Sequence, residues 1–144
     1  MSDQQANNVG VVKKLYEAAL RTPDWMQELS NDIHPDIISY EADGLPYGGT
    51  YRGPEGFARL VRIMQGTWDD MYFRPTEFLS GGDYVICYVE LSGVGKKTGL
   101  SFSMPLAELY RFQDGKIIEF RPIYYDTKRC AEVFGEKFSL AAAH

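Results

Sequence analysis

Leu100-Ser101-Phe102-Ser103-Met104-Pro105-Leu106-Ala107-Glu108-Leu109-Tyr110-Arg111-Phe112 is the run around which the chain is organised. Every second residue from Phe102 projects from the same face of a β-strand, and that face holds Phe102, Met104, Leu106, Glu108, Tyr110 and Phe112. The alternate set, Ser103, Pro105, Ala107, Leu109 and Arg111, is smaller and more mixed. The large residues therefore form an interior wall, and the mixed set forms a contact surface. Glu108 is an acid among oily side chains. Burial disfavours a charged carboxylate and raises its pKa, a mark of functional sites when the wall is concave. The alternative is a structural acid paired with an arginine or placed at a wet rim.

Working outward from this strand, the chain from Trp68 onward reads as an antiparallel meander. Its extended runs are separated by Ser80-Gly81-Gly82-Asp83, by Gly95 to Gly99 and by Gln113-Asp114-Gly115. Tyr84 to Leu91 is almost continuously apolar, as expected of a strand covered on both faces, and a homodimer is the simplest source of the second cover. The last strand runs from Lys116 to about Tyr125. Asp126 or Thr127 then caps a short helix carrying Ala131, Val133 and Phe134.

Towards the amino terminus, Met1 to Asn8 reads as a disordered tail, leaving a single domain over residues 9–144. Val12, Leu15, Tyr16 and Ala19 recur at helical spacing and predict a helix from Val9 to Arg21. Thr22-Pro23-Asp24 starts a short second helix presenting Trp25, Met26 and Leu29, which ends before His34-Pro35. Asp36 to Ala42 reads as a strand and Gly44 to Gly53 as a loop. Pro54 begins a third helix that lays Phe57, Leu60, Val61 and Met64 on the sheet until Gly66 ends it.

Composition narrows the function classes. The 144 residues are 44% hydrophobic and 24% charged, enough for one globular core and too few for a second full domain. A net charge of −5 without a basic run argues against nucleic-acid and anionic-membrane partners. Cys87 and Cys130 have no Cys/His partners at metal spacing, and no glycine-rich dinucleotide motif is present. No metal or redox cofactor is expected. Without a signal peptide or an apolar run of membrane length, the expectation is a soluble cytoplasmic protein with reduced thiols.

Three motifs carry a family resemblance: Tyr16-Glu17-Ala18-Ala19-Leu20, Leu45-Pro46-Tyr47-Gly48-Gly49-Thr50-Tyr51-Arg52-Gly53, and Tyr110-Arg111-Phe112-Gln113-Asp114-Gly115-Lys116-Ile117. With them the chain resembles the nuclear transport factor 2-like superfamily, and its Gly-Gly-x-Tyr-Arg-Gly crossover looks most like the SnoaL-like branch. The resemblance implies an α+β fold: a cone-shaped, curved antiparallel sheet wrapped around N-terminal helices with an internal pocket. Compared with the ketosteroid isomerases of this superfamily, it implies that Tyr16 and Glu108 are oxyanion donors and Glu41 a general base. Both acids are Glu where those isomerases have Asp, and Val61 stands in place of a supporting tyrosine. Pro122 stands where SnoaL-like cyclases have an acid, with Asp126 at the rim as a substitute. Leu106 stands where the epoxide hydrolase pattern has an Arg.

Tyr40, Tyr47, Tyr51, Trp68, Met104, Leu106, Tyr110, Phe120 and Tyr124 are expected to line or close the pocket. The expected partner is a small hydrophobic or carbonyl compound, and the expected chemistry is cofactor-free proton transfer by a carboxylate, of isomerase, cyclase or lyase type. A non-catalytic ligand-binding module is the alternative. In it, Arg121 or Arg111 neutralises Glu108.

Overall fold

Alternating apolar strands with helical apolar stripes on one side of them can close over a core only by wrapping, and the computed structural model shows that wrap for residues 1–135. The expected domain end at residue 144, and His144 itself, lie outside the described residues. Three helices, α1 (Asp3–Arg21), α2 (Trp25–Glu28) and α3 (Gly53–Thr67), accompany the strands β1 (Ile33–Glu41) and β2 (Gly49–Arg52). The meander β3 (Trp68–Gly81), β4 (Tyr84–Gly95), β5 (Ser101–Gln113) and β6 (Lys116–Tyr124) leads into α4 (Thr127–Phe134). The six strands form one unclosed sheet in the order β2-β1-β6-β5-β4-β3. The β1–β6 pair is parallel and departs from the expected all-antiparallel sheet, because the helical crossover returns the meander to the far side of β1. Register slips between Asp69 and Tyr72, between Pro75 and Glu77 and between Arg111 and Phe112 add bulges that bend the sheet into a cone.

On β5 the alternation is as read: Phe102, Met104, Leu106, Glu108, Tyr110 and Phe112 are all buried. Their outward neighbours are half-buried or exposed. On β4 the two-sided reading resolves by parity. Val85, Cys87, Val89 and Leu91 face inward, whereas Tyr84 and Tyr88 lie outside at 41% and 46% exposure.

Several boundaries differ from expectation, each for a local reason. Residues 1–8 are helical from Asp3 rather than a disordered tail, because Ser2 and Gln5 form a reciprocal capping box that supplies partners for the first free amides. The Thr22 hydroxyl closes the turn at Asp24, so α2 is a single turn beginning at Trp25. Pro35 lies within β1, where its missing N–H coincides with a register slip between Ile33 and Ile38 against β6. The expected loop contains β2. Gly66 does not end α3, which continues to Thr67, whose hydroxyl donates to the Ile63 carbonyl at 2.7 Å.

Candidate functional site

Glu108 is built into the middle of β5, where its neighbours across the sheet are Cys87 on β4 and Pro122 on β6. Pro122 has no N–H, and the Cys87 thiol is a weak donor. Leu106 and Tyr110 flank Glu108 on the same face, so the wall itself offers the carboxyl little solvation. The strong donor comes from α1. That helix packs Val12, Leu15 and Tyr16 inward, and the Tyr16 hydroxyl donates to Glu108 Oε1 at 2.5 Å. Tyr110 Oη donates in turn to Tyr16 Oη at 3.0 Å. The other carboxyl oxygen, Oε2, has no hydrogen-bond partner among the described residues.

Electrostatics follow from this placement. Burial pushes the Glu108 pKa from 4.5 to about 7, against the Tyr16 hydrogen bond, which pulls it down. Burial, then the charge of Glu108, hold the Tyr16 and Tyr110 phenols well above their usual value. Burial likewise lifts the Cys87 thiol to about 11. Near neutrality, Glu108 is therefore the member of this group balanced between its two protonation states.

The dyad forms the floor of a cavity of about 280 Å³. Its sides come from three helices and from β3: Leu15 and Ala19 of α1, Trp25 of α2, Phe57, Leu60, Val61 and Met64 of α3, and Phe73 of β3. Gln65 is the amide at its edge, and among the described residues no Lys, Arg or His lines it. Tyr110 and Phe120 also line this cavity. The helical apolar stripes had marked Phe57, Leu60, Val61, Met64 and Trp25 as packing residues. What their spacing does not reveal is that the sheet curves away beneath α3 and leaves a space.

The other candidates lie elsewhere. Glu41, at the end of β1 opposite Gly49, is 4% exposed and neither of its oxygens has a hydrogen-bond partner. Burial, then the charge of Glu108, raise its pKa well above the ordinary value. It lines a separate recess with Tyr40, Arg121 and Tyr124, so the expected base and the expected donors do not share one cavity. Tyr40 points outward beneath the Arg121 guanidinium, 4.0 Å from its ring centre.

Tyr47, Tyr51, Trp68, Met104 and Leu106 are core residues rather than walls of the cavity that Glu108 floors. Tyr47 and Tyr124 share a hydroxyl hydrogen bond of 2.7 Å, and Tyr51 donates to the Tyr47 carbonyl. Trp68 packs on Phe102 and Phe134 with ring centres 4.3 and 4.2 Å away, and Met104 meets Cys130, so α4 plugs that end of the cone. Asp126 is the N-cap of α4, accepting from the Arg129 amide at 3.0 Å. Arg111 and Arg121 both pair with Glu119 instead of Glu108. Among the described residues no group of three His, Cys, Asp or Glu is arranged to hold a metal ion, and no helix is long and apolar enough to cross a membrane.

A curved, unclosed six-stranded sheet wrapped on N-terminal helices is the cone of the nuclear transport factor 2-like fold. Within it, the SnoaL-like domain profile matches residues 12–120, and the chain belongs to that family. A nuclear transport factor 2-like protein from Burkholderia thailandensis is 31% identical, with 89% of this chain and 97% of that chain covered at a TM-score of 0.80. A putative SnoaL-like polyketide cyclase from Jannaschia is 17% identical over 94% of this chain and 96% of its own, at a TM-score of 0.79. A protein of ketosteroid isomerase-like fold from Catenulispora acidiphila, solved in complex with trimethylamine, is 19% identical over 88% of this chain and 92% of its own, at 0.70. The last two likenesses bear on fold alone. No curated protein matches the chain in sequence.

Proposed function

We propose that the chain is a cofactor-independent enzyme that binds a small, mostly apolar carbonyl compound in the α1–α3 cavity and moves a proton with Glu108. The observation that carries this reading is a carboxyl balanced near neutrality on the floor of an apolar cavity, with one oxygen held by Tyr16 and the other without a partner among the described residues. A base with a pKa near the working pH combines a useful ionised fraction with useful basicity. Glu108 Oε2 takes a proton from the carbon beside the carbonyl and returns it to a different atom of the same enolate. As Glu108 takes up that proton its hold on Tyr16 weakens, and the phenol is freed to donate to the developing enolate oxygen. Glu41, whose carboxyl is enclosed away from the cavity, takes no part in this transfer.

The test is deuterium uptake from D2O at the carbon beside the carbonyl of 1-tetralone, followed by NMR, with 2-naphthol fluorescence reporting occupancy of the cavity. The wild-type chain is expected to catalyse exchange. Glu108→Gln should lower the rate by about 100-fold or more while still binding 2-naphthol, and Tyr16→Phe should lower it about 10- to 100-fold. Binding of 2-naphthol with exchange no faster than in buffer would make the chain a ligand-binding module instead.

A further inference from the structure

The walls of the cavity carry a charge preference of their own. Five of its rings follow one another in an arc: Tyr16 to Tyr110 at 6.4 Å between centres, Tyr110 to Phe120 at 5.2 Å, Phe120 to Phe57 at 5.5 Å, and Phe57 to Trp25 at 5.9 Å. Aromatic faces are negative and their edges positive, so rings around a space attract a cation placed over their faces. Among the described residues, the one ionisable carboxyl in the wall is Glu108. Arg111 on β5 and Arg121 on β6 pair with Glu119. When ionised, Glu108 is thus a buried anion held by a phenol and, among the described residues, lacking a counter-charge, an arrangement that a buried cation relieves and a buried anion worsens.

We propose that this cavity binds alkylated ammonium groups, with the arc of rings as their cage and Glu108 as their counter-charge. The inference rests on the reading that the cavity takes a small molecule, but it does not depend on the reaction. An alkylated nitrogen sheds water more readily than a primary ammonium, and its methyl groups present apolar surface to Leu60 and to the rings. Carboxylates and phosphates are excluded by the same wall.

The groups facing Glu108 are Tyr16 from α1, Cys87 from β4, Tyr110 from β5, Tyr124 from β6 and Glu41 from β1. The phenols and the thiol are all held above their ordinary values and stay neutral around pH 7. With Glu108 balanced near pH 7, ammonium affinity should rise about tenfold from pH 6 to pH 8, following the ionised fraction.

The experiment is calorimetric titration of the full chain with benzyltrimethylammonium, with neopentylbenzene as its uncharged isostere and 2-naphthol as an independent probe of the cavity. Benzyltrimethylammonium is expected to displace 2-naphthol, to bind at least tenfold more tightly than neopentylbenzene at pH 8, and to lose at least tenfold in Glu108→Gln. That variant should also lose the pH dependence. Equal binding of the isostere overturns the proposal, as does unchanged ammonium affinity or persistent pH dependence in Glu108→Gln. If 2-naphthol binds and benzyltrimethylammonium does not displace it, this inference alone fails. If neither probe binds, the small-molecule reading falls with it.

Discussion

Glu108 and Glu41 have the same side chain and are both buried, yet among the described residues the fold gives one a donor and leaves the other with none. Both carboxyls titrate above their ordinary value, and the consequence for stability has a definite sign. Below pH 4.5 the acid is protonated in folded and unfolded chains alike. Above that value the unfolded chain releases its proton while the folded chain keeps it, so stability falls as pH rises, until the folded Glu108 has also ionised near pH 7. The loss for Glu108 across that window is roughly 3 kcal/mol, and Glu41 adds to it in the same direction. Thermal unfolding at pH 5 and pH 8 checks this: Glu108→Gln and Glu41→Gln should each flatten the decline, and a wild-type chain more stable at pH 8 would contradict the assignment. The alternation in 102–112 made Glu108 legible from sequence. Its partner Tyr16, 92 residues away, was legible only through the family resemblance, because spacing along a chain says nothing about which helix lies over which strand. Asp126 was readable as either cap or acid, and the short local bond to Arg129 decided for the cap.

At the scale of elements, β4 shows how far alternation carries and where it stops. An apolar run on both parities announced two covered faces but not which parity met the helices. The structure turns Val85 and Val89 inward, so aspartate at either position should unfold the core rather than test assembly. The outward set with Tyr84 and Tyr88 extends across the sheet to Leu79 on β3 and Ile123 on β6, both more than half exposed. We propose that a second copy of the chain covers this apolar face. Sedimentation should show a dimer at micromolar concentration that Tyr88→Asp converts to monomer, and a strict wild-type monomer would remove the proposal. On the inner face, Trp68 lies against Gly93: a Cβ there would sit 2.5 Å from the indole ring. Gly93→Ala should therefore displace Trp68 from Phe102 and Phe134 and cost about 1–3 kcal/mol in chemical denaturation. An unchanged midpoint would show that the indole yields freely.

Across the whole molecule, the turn signals and the long apolar strands marked the meander, and the family resemblance supplied the cone. Its curvature comes from register slips that no sequence pattern announced, such as the one beside Pro75. Curvature separates the interior into a plugged end, where α4 seats Phe134 on Trp68, and an end beneath α1 and α3 that stays open. That division is why Tyr47, Trp68 and Met104 became core while Trp25 and Phe57 became walls. Glu41 is not among the residues lining the cavity that holds Glu108. This open end keeps one carboxyl balanced between its charged and neutral forms. Following the Glu108 carboxyl carbon by NMR as pH is raised tests it most directly. The expected midpoint is about 7, rising further in Tyr16→Phe, where the donor that favours the charged form is lost. A midpoint at or below the ordinary 4.5 would mean a solvated or ion-paired structural acid and would contradict the account.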